Sequence, residues 1–289
     1  MNQSTYLKVK DHSVSGEEFQ LILNEDLQML ETFPKPTEEK LSQYYKSEDY
    51  ISHTDSKRNV FEYAYHIIRS RALRNKLKLI NSFDTEAKDL LDIGCGTGDF
   101  LRTAQNSGWS ITGIEPNVQA RTIANDKTGN KVFEAEQLLS IEENSFDVIT
   151  LWHVLEHLPK LETHISLFKN LLKPNGFLVV AVPNFKSYDA QHYKSFWAAY
   201  DVPRHLWHFS RQSIKHLFGK FGFTVVSTRP MIFDSFYVSL LSEKYKSDFM
   251  NPIKAFWIGL LSNIKARDSK EYSSLIYIIK KTSTLSLAL

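Results

Sequence analysis

Three groups of residues in this chain have the types and spacing to do chemistry. The first is Asp92-Ile93-Gly94-Cys95-Gly96-Thr97-Gly98-Asp99. An apolar run, Leu90 to Ile93, ends in glycines at 94, 96 and 98, and a helix-like stretch follows from Phe100; the pattern reads as a buried strand, a tight turn and a helix start. Glycines let the backbone approach a ligand closely, and the free N–H groups of a first helical turn offer it donors. The spacing is one residue short of the dinucleotide fingerprint, and no Gly-Lys-Ser/Thr of a phosphate loop follows. Asp92 sets a carboxylate where a pyrophosphate would have to lie, so a cationic or zwitterionic ligand is expected. The second group closes the next β-rich stretch, Trp109 to Ile114, with Glu115-Pro116-Asn117; an acid at a strand tip can accept from both ribose hydroxyls of a nucleoside. The third is His153-x-x-Glu156-His157, joined downstream by Trp197, Asp201, Arg204, His205, Trp207 and His208.

His-x-x-Glu-His inside a long helix is the inverted zinc-peptidase signature. Here it directly follows the apolar strand Ser145 to Leu151, and no distal third ligand is evident, so a peptidase is a remote alternative. Cys95 is the sole cysteine, which excludes an intrachain disulfide and a multi-cysteine zinc site, and no metal is expected. An oxygen or carbon nucleophile must lose a proton, and imidazole suits that step near neutral pH. His153, His205 and His208 are the candidates. Asp201 and Arg204 are placed to fix a charged acceptor, and Trp197 and Trp207 to wall an apolar one. Any of these, taken singly, has an ordinary structural reading beside the functional one.

The acid, Gly-x-Gly-x-Gly and second acid, in that order and at that distance, resemble the class I S-adenosylmethionine-dependent methyltransferases. The resemblance covers roughly residues 89 to 230 and a final strand. It implies that Asp92 lies near the methionine part and Glu115 holds the ribose. Gly94, Cys95, Gly96 and Gly98 would supply the close backbone, with Pro116 beside them, Glu136 and Gln137 at the adenine edge, and Trp152 and His153 lining the cofactor. In the similar ubiquinone-pathway O-methyltransferases and small-RNA 2′-O-methyltransferases, Glu-x-x-Glu-His binds a divalent cation; His153 replaces the first Glu here. Residues 1–36 resemble the zinc ribbon that opens a subgroup of bacterial methyltransferases, with Asn24 and Leu27 where Cys-x-x-Cys would stand. A metal-free remnant is expected.

These groups need elements to carry them. Strands alternating with helices imply an α/β, doubly wound, Rossmann-like fold, and the resemblance makes it a seven-stranded sheet with the last strand antiparallel. An N-terminal helical cap is expected over residues 1–84, the methyltransferase domain over 85–289, and acceptor-site insertions at 183–223 and 231–270. Apolar spacing predicts an amphipathic helix over 57–80 and another over 161–172. Tyr44, Tyr45 and the segment Tyr50 to His53 would pack on the main domain or close over the cofactor. Hydrophobic residues make up 42% of the 289 and charged ones 24%, as in soluble globular proteins with a sizeable core.

The net charge of +2 advertises neither nucleic acid nor membrane as a partner. Lys254, Lys265 and Arg267 around an apolar helix permit membrane-surface contact with a lipid-like substrate. The polar start and the lack of a spanning run make the cytoplasm the expected location. The reading that follows is S-adenosylmethionine-dependent methyl transfer to a small-molecule acceptor, on oxygen ahead of carbon or nitrogen, with an apolar, lipid, quinone or sugar-linked substrate. The alternative is a non-catalytic cofactor-binding or scaffold protein.

Overall fold

The computed structural model describes residues 4–45 and 60–282. Two sheets form. The first strands, β1 (Thr5–Lys10), β2 (Glu18–Asn24) and β3 (Met29–Phe33), make an antiparallel meander. One helical turn (Glu38–Leu41) and the long helix Val60–Ile80 follow. The N-terminal region is thus as much sheet as helical cap, because Phe19, Leu21 and Leu30 alternate inward and close a small core with Trp197 and Tyr200. Tyr50 to His53 lie outside the described residues, as do the side chains at 57–68 on which the amphipathic reading partly rested.

The main sheet collects β4 (Asp89–Ile93), β5 (Ser110–Ile114), β6 (Val132–Phe133), β7 (Phe146–Trp152), β8 (Leu172–Pro183), β10 (Phe223–Pro230) and β11 (Ser274–Lys281). Their order is β10-β11-β8-β7-β4-β5-β6, and β11 runs antiparallel to both neighbours. Strands β4 and β7 are the centre, buried on both faces, which is why they read as continuous apolar runs. The helix Leu161–Leu171 lays Leu161, Ile165, Phe168 and Leu171 into that core. Asn117 starts the helix Val118–Thr128 by accepting from Ala120 N at 3.0 Å. Ser210 and Ser213 close a capping box on Arg211–Lys220. Two helices, Asp234–Ser247 and Pro252–Ser269, fill the connection between β10 and β11.

One further strand, β9 (Trp207–His208), leaves the insertion after β8 and pairs with β3 as the fourth member of the N-terminal sheet. Thr32 secures the junction: its N–H donates to Leu206 O at 3.1 Å and its hydroxyl to His205 O at 2.6 Å. At the position resembling a zinc knuckle, Asn24 Oδ1 accepts from Leu27 N at 3.0 Å, and Leu27 is buried in the main core. A side-chain hydrogen bond and an apolar anchor hold this turn.

Candidate functional site

The carboxyl ends of β4, β5 and β7 meet, and the sequence-derived residues separate there into a cofactor half and an acceptor half. Gly94 has φ +63° and a side chain there would strike Val154, so the turn demands glycine. Gly96, at φ +55°, would meet nothing within 4 Å, leaving open space against the backbone. Glu115 Oε2 accepts from Gly96 N at 2.8 Å and Oε1 from Asn117 N at 2.9 Å, which fixes the acid beside the turn. Burial raises its pKa despite those bonds.

Asp92 is 2% exposed and accepts from the Thr150 hydroxyl at 2.5 Å. Burial pushes its pKa to about 7, with Thr150 and Lys76 pulling the other way and Glu115 adding to the rise. Lys76, from the Val60–Ile80 helix, stands 4.4 Å over the Trp152 ring, and lost hydration lowers it to about 8. Cys95 is a half-buried thiol whose pKa burial raises, so it is an inert filler of the loop. Pro116 is exposed at the tip of β5, and Glu136 and Gln137 are exposed in the short 3₁₀ helix that follows β6, on the same edge of the sheet.

The acceptor half follows β7. His153 takes a left-handed conformation, φ +57°, and Leu155–His157 is a single 3₁₀ turn. The long helix a zincin needs is missing. His153 lies between two carboxylates: Nδ1 is 3.4 Å from Glu156 and Nε2 is 3.1 Å from Asp234, which opens the first helix of the 231–270 insertion. Burial disfavours its charge, but the two acids outweigh burial and raise its pKa to about 10. His153 is therefore an imidazolium at neutral pH and has no lone pair for a proton, which corrects the expectation that it acts as a base.

Glu156 is 1% exposed, and neither of its oxygens has a hydrogen bond among the described residues. Around it stand His157 and His205, whose rings are 4.6 Å apart. His157 Nδ1 is 3.0 Å from both Arg204 O and the Tyr45 hydroxyl, and His205 has Nδ1 2.9 Å from Ala199 O and Nε2 3.8 Å from Asp201. A carbonyl only accepts, so the buried His205 ring carries its proton on Nδ1 and leaves a lone pair on Nε2. Donor atoms of Glu156, His157 and His205 all lie within 4.8 Å of one another. The third ligand that the sequence did not offer is thus His205, 48 residues beyond His157 (205 − 157 = 48) and returned to it by the Leu206 N–H bond to Glu156 O at 2.9 Å.

Other expected residues do different work. His208 is 4% exposed, 2.9 Å from the Thr32 hydroxyl, and lowered by burial to about 3; it belongs to the sheet junction, not to a reacting centre. Trp197, 2% exposed, donates to Asp189 Oδ2 at 2.7 Å inside the second core and walls no acceptor. Trp207 donates to Leu158 O at 2.8 Å and lies under Lys35, facing a cavity of about 290 Å³ on the N-terminal side. Asp201 and Arg204 pair with each other, and Arg204 reaches Ser13 Oγ at 2.8 Å, so their charges are spent on holding the insertion to the N-terminal sheet. Lys76, Thr150 and Asp234 were invisible to sequence reasoning; an isolated Lys, Thr or Asp on a helix or strand carries no local signal.

The strand order, with its antiparallel β11, is that of the class I S-adenosylmethionine-dependent methyltransferases. The family described as a methyltransferase domain matches residues 63–228, more than half of the chain, and the chain belongs to that family. It is 28% identical over 123 residues to the ubiquinone biosynthesis O-methyltransferase of Hydrogenovibrio crunogenus, covering 39% of this chain and 51% of that one. Against the same enzyme of Nitrosospira multiformis it is 32% identical over 104 residues, 34% of this chain and 44% of the relative. The chain thus spans about half the length of the curated relatives it matches. In structure it is similar to an S-adenosylmethionine-dependent methyltransferase of Archaeoglobus fulgidus, with TM-score 0.51 and 19% identity over 77% of this chain and 100% of that one. A possible histamine N-methyltransferase of Thermotoga maritima gives TM-score 0.52 and 19% identity over 78% and 96%. At these identities the structural likenesses establish the fold.

Proposed function

We propose that the chain transfers the methyl group of S-adenosylmethionine to an oxygen of a small, apolar acceptor of the quinol or phenol class, in the cytoplasm, with residues 1–84 as a cap and 85–289 as the catalytic domain. The observation that carries this reading is the pair Asp92 and Glu115, fixed on either side of a glycine turn whose middle glycine faces open space. The relatives named as ubiquinone biosynthesis O-methyltransferases supply the acceptor class. In this reading Asp92 meets the cationic amino-acid end of the cofactor, Glu115 the ribose and Trp152 a cofactor face.

Displacement at a sulfonium methyl requires alignment more than activation. The acceptor oxygen forms its bond to the methyl carbon as the carbon–sulfur bond breaks, giving a methyl ether and S-adenosylhomocysteine. The acceptor's proton goes to the lone pair of His205 Nε2, beside Glu156. The imidazolium of His153 stands next to the acceptor and favours an ionising oxygen. Glu156, His157 and His205 also fit a divalent cation, given two imidazoles held by backbone carbonyls and a buried carboxylate that meets His153 at 3.4 Å. Such an ion, when bound, lowers the pKa of a nearby hydroxyl.

Calorimetric titration with S-adenosylmethionine, then mass spectrometry of a quinol-type phenol incubated with it, tests the reading. Asp92→Ala and Glu115→Ala are expected to lose cofactor binding with an unchanged circular dichroism spectrum; full affinity in both variants overturns the assignment. Binding without methylated product from any phenol or cell extract favours the scaffold alternative. Loss of turnover in chelator, restored by a divalent cation, assigns the cluster to metal, and indifference to chelator assigns the proton to His205.

A further inference from the structure

The connection between β10 and β11 is built inside out. In the helix Pro252–Ser269 the inward residues are mostly small: Ala255, Gly259, Ser262 and Ala266 are buried with Ile258. A side chain on Gly259 would press on Phe236 of the partner helix, and Ser235 Oγ donates to Gly259 O at 3.1 Å, so the two helices touch through small residues. The large apolar side chains point the other way. Ile253 is 75% exposed, Trp257 57% and Phe256 52%, with Ile264 and Leu261 continuing the stripe at helical spacing. Phe249 and Met250 in the connecting turn, Tyr237 in the first helix and Phe233 just before it are exposed as well. A contiguous apolar face of this kind on a globular protein marks a contact surface.

Charge around the face selects the occupant. Within 231–270 the exposed cations are Lys244, Lys246, Lys254, Lys265, Arg267 and Lys270, of which Lys254 is paired with the buried Glu243 at 3.0 Å, against two exposed acids, Asp248 and Asp268. Two copies of such a rim repel, which disfavours self-association through this face. Long basic side chains around exposed Trp, Phe and Ile match the interface of an anionic bilayer, where the apolar groups enter the headgroup region and the cations meet lipid phosphates. Among the described residues no helix is long and apolar enough to cross a membrane, so the element lies on the surface.

We propose that the helix pair 234–269 is a docking surface for anionic lipid bilayers. Asp234, which touches His153, opens the same helix pair, so docking sets the acceptor side of the site against the bilayer edge from which an apolar acceptor would enter. The acceptor's arrival rests on the proposed methyl transfer; the docking itself does not, because vesicle binding is measured without turnover.

The test is sedimentation of the full chain with sucrose-loaded vesicles of phosphatidylcholine alone or mixed with phosphatidylglycerol. The mixed vesicles are expected to carry the protein down, and pure phosphatidylcholine to bind about tenfold less or weaker. Ile253→Glu with Trp257→Glu is expected to cost about tenfold or more, and the triple change Lys244→Glu, Lys246→Glu, Arg267→Glu a comparable amount. Unaltered melting temperature and circular dichroism verify that these exposed changes leave the fold intact. No association with mixed vesicles, or full association of the Ile253→Glu/Trp257→Glu variant, overturns the proposal. So does a dimer in analytical ultracentrifugation that Trp257→Glu dissociates, which would give the face to a second copy.

Discussion

His153, at the end of β7, and His208, in the junction with the N-terminal sheet, have opposite electrostatic fates. The His153 side chain is 34% exposed and gripped by Glu156 and Asp234, which hold its proton up to a pKa of about 10, whereas His208 is only 4% exposed. His208 meets a threonine hydroxyl and aromatic rings and stays neutral down to about 3. His205 falls on the neutral side as well: burial and the neighbouring His157 hold it well below the ordinary value. The difference teaches that carboxylates in direct contact with both ring nitrogens, as at His153, outweigh burial, whereas His205, with Asp201 at 3.8 Å from Nε2 and His157 alongside, stays neutral.

The sharpest way to break that contrast is by turnover. His205→Ala is expected to lower kcat roughly 100- to 10,000-fold, the usual worth of a proton-transfer group, while His208→Ala leaves kcat per folded molecule nearly unchanged. Equal losses in the two variants would dissolve the distinction. Next in size is the proton itself. Asp234→Asn removes one of the two acids holding His153, and its pKa should fall from about 10 toward the ordinary value near 6.5. Nitrogen-15 NMR titration reads this directly, and an unmoved resonance would mean that Asp234 does not hold the charge.

The two residues also predict opposite slopes of stability with pH. For His208 the folded pKa, about 3, lies below the unfolded one, so the unfolded chain binds more protons between pH 6.5 and 3 and stability drains as pH falls through that window. For His153 the folded pKa lies above, so its contribution is complete below about pH 6.5 and is lost as pH rises toward 10. Urea midpoints across pH should decline on both sides. Thr32→Val, which removes the hydroxyl shared by His205 O and His208, should cost about 1–3 kcal/mol. The smallest expected effect is on the cofactor side. With Asp92 near 7, affinity for a cationic ligand should weaken below neutrality, approaching about tenfold per pH unit, and a flat calorimetric profile would count against a direct Asp92 contact.

The cofactor half was legible in the sequence because its signals are local. Asp92, Gly94, Gly96 and Gly98 fall within seven residues, and Glu115 ends the very next strand, so a strand-turn-helix reading places them together without further information. The doubly wound sheet followed from the alternation of strands and helices, while the antiparallel β11 came only from the resemblance to class I methyltransferases. The acceptor half is assembled over distance. Glu156 and His157 meet His205 only because the insertion after β8 folds back, and Asp234 comes from still further along. The segment Asp201 to Ser210 looked like a wall of polar and aromatic groups, yet pairing with β3 turns His208 away from the site, and internal bonds occupy Arg204 and Asp201. Pairing of Leu30 with His208, 178 residues on (208 − 30 = 178), leaves no trace in composition or spacing.

The loan of β9 to the N-terminal sheet carries an implication for how the chain comes together during synthesis. The opening meander leaves the ribosome with its fourth strand still untranslated, and residues Trp207 and His208 must emerge before Leu30 and Glu31 acquire their partners. Long-range closure of this type slows assembly. An unpaired β3 edge is available to other chains until then, so a pause in translation before residue 208 would expose the nascent protein to aggregation at its oldest end.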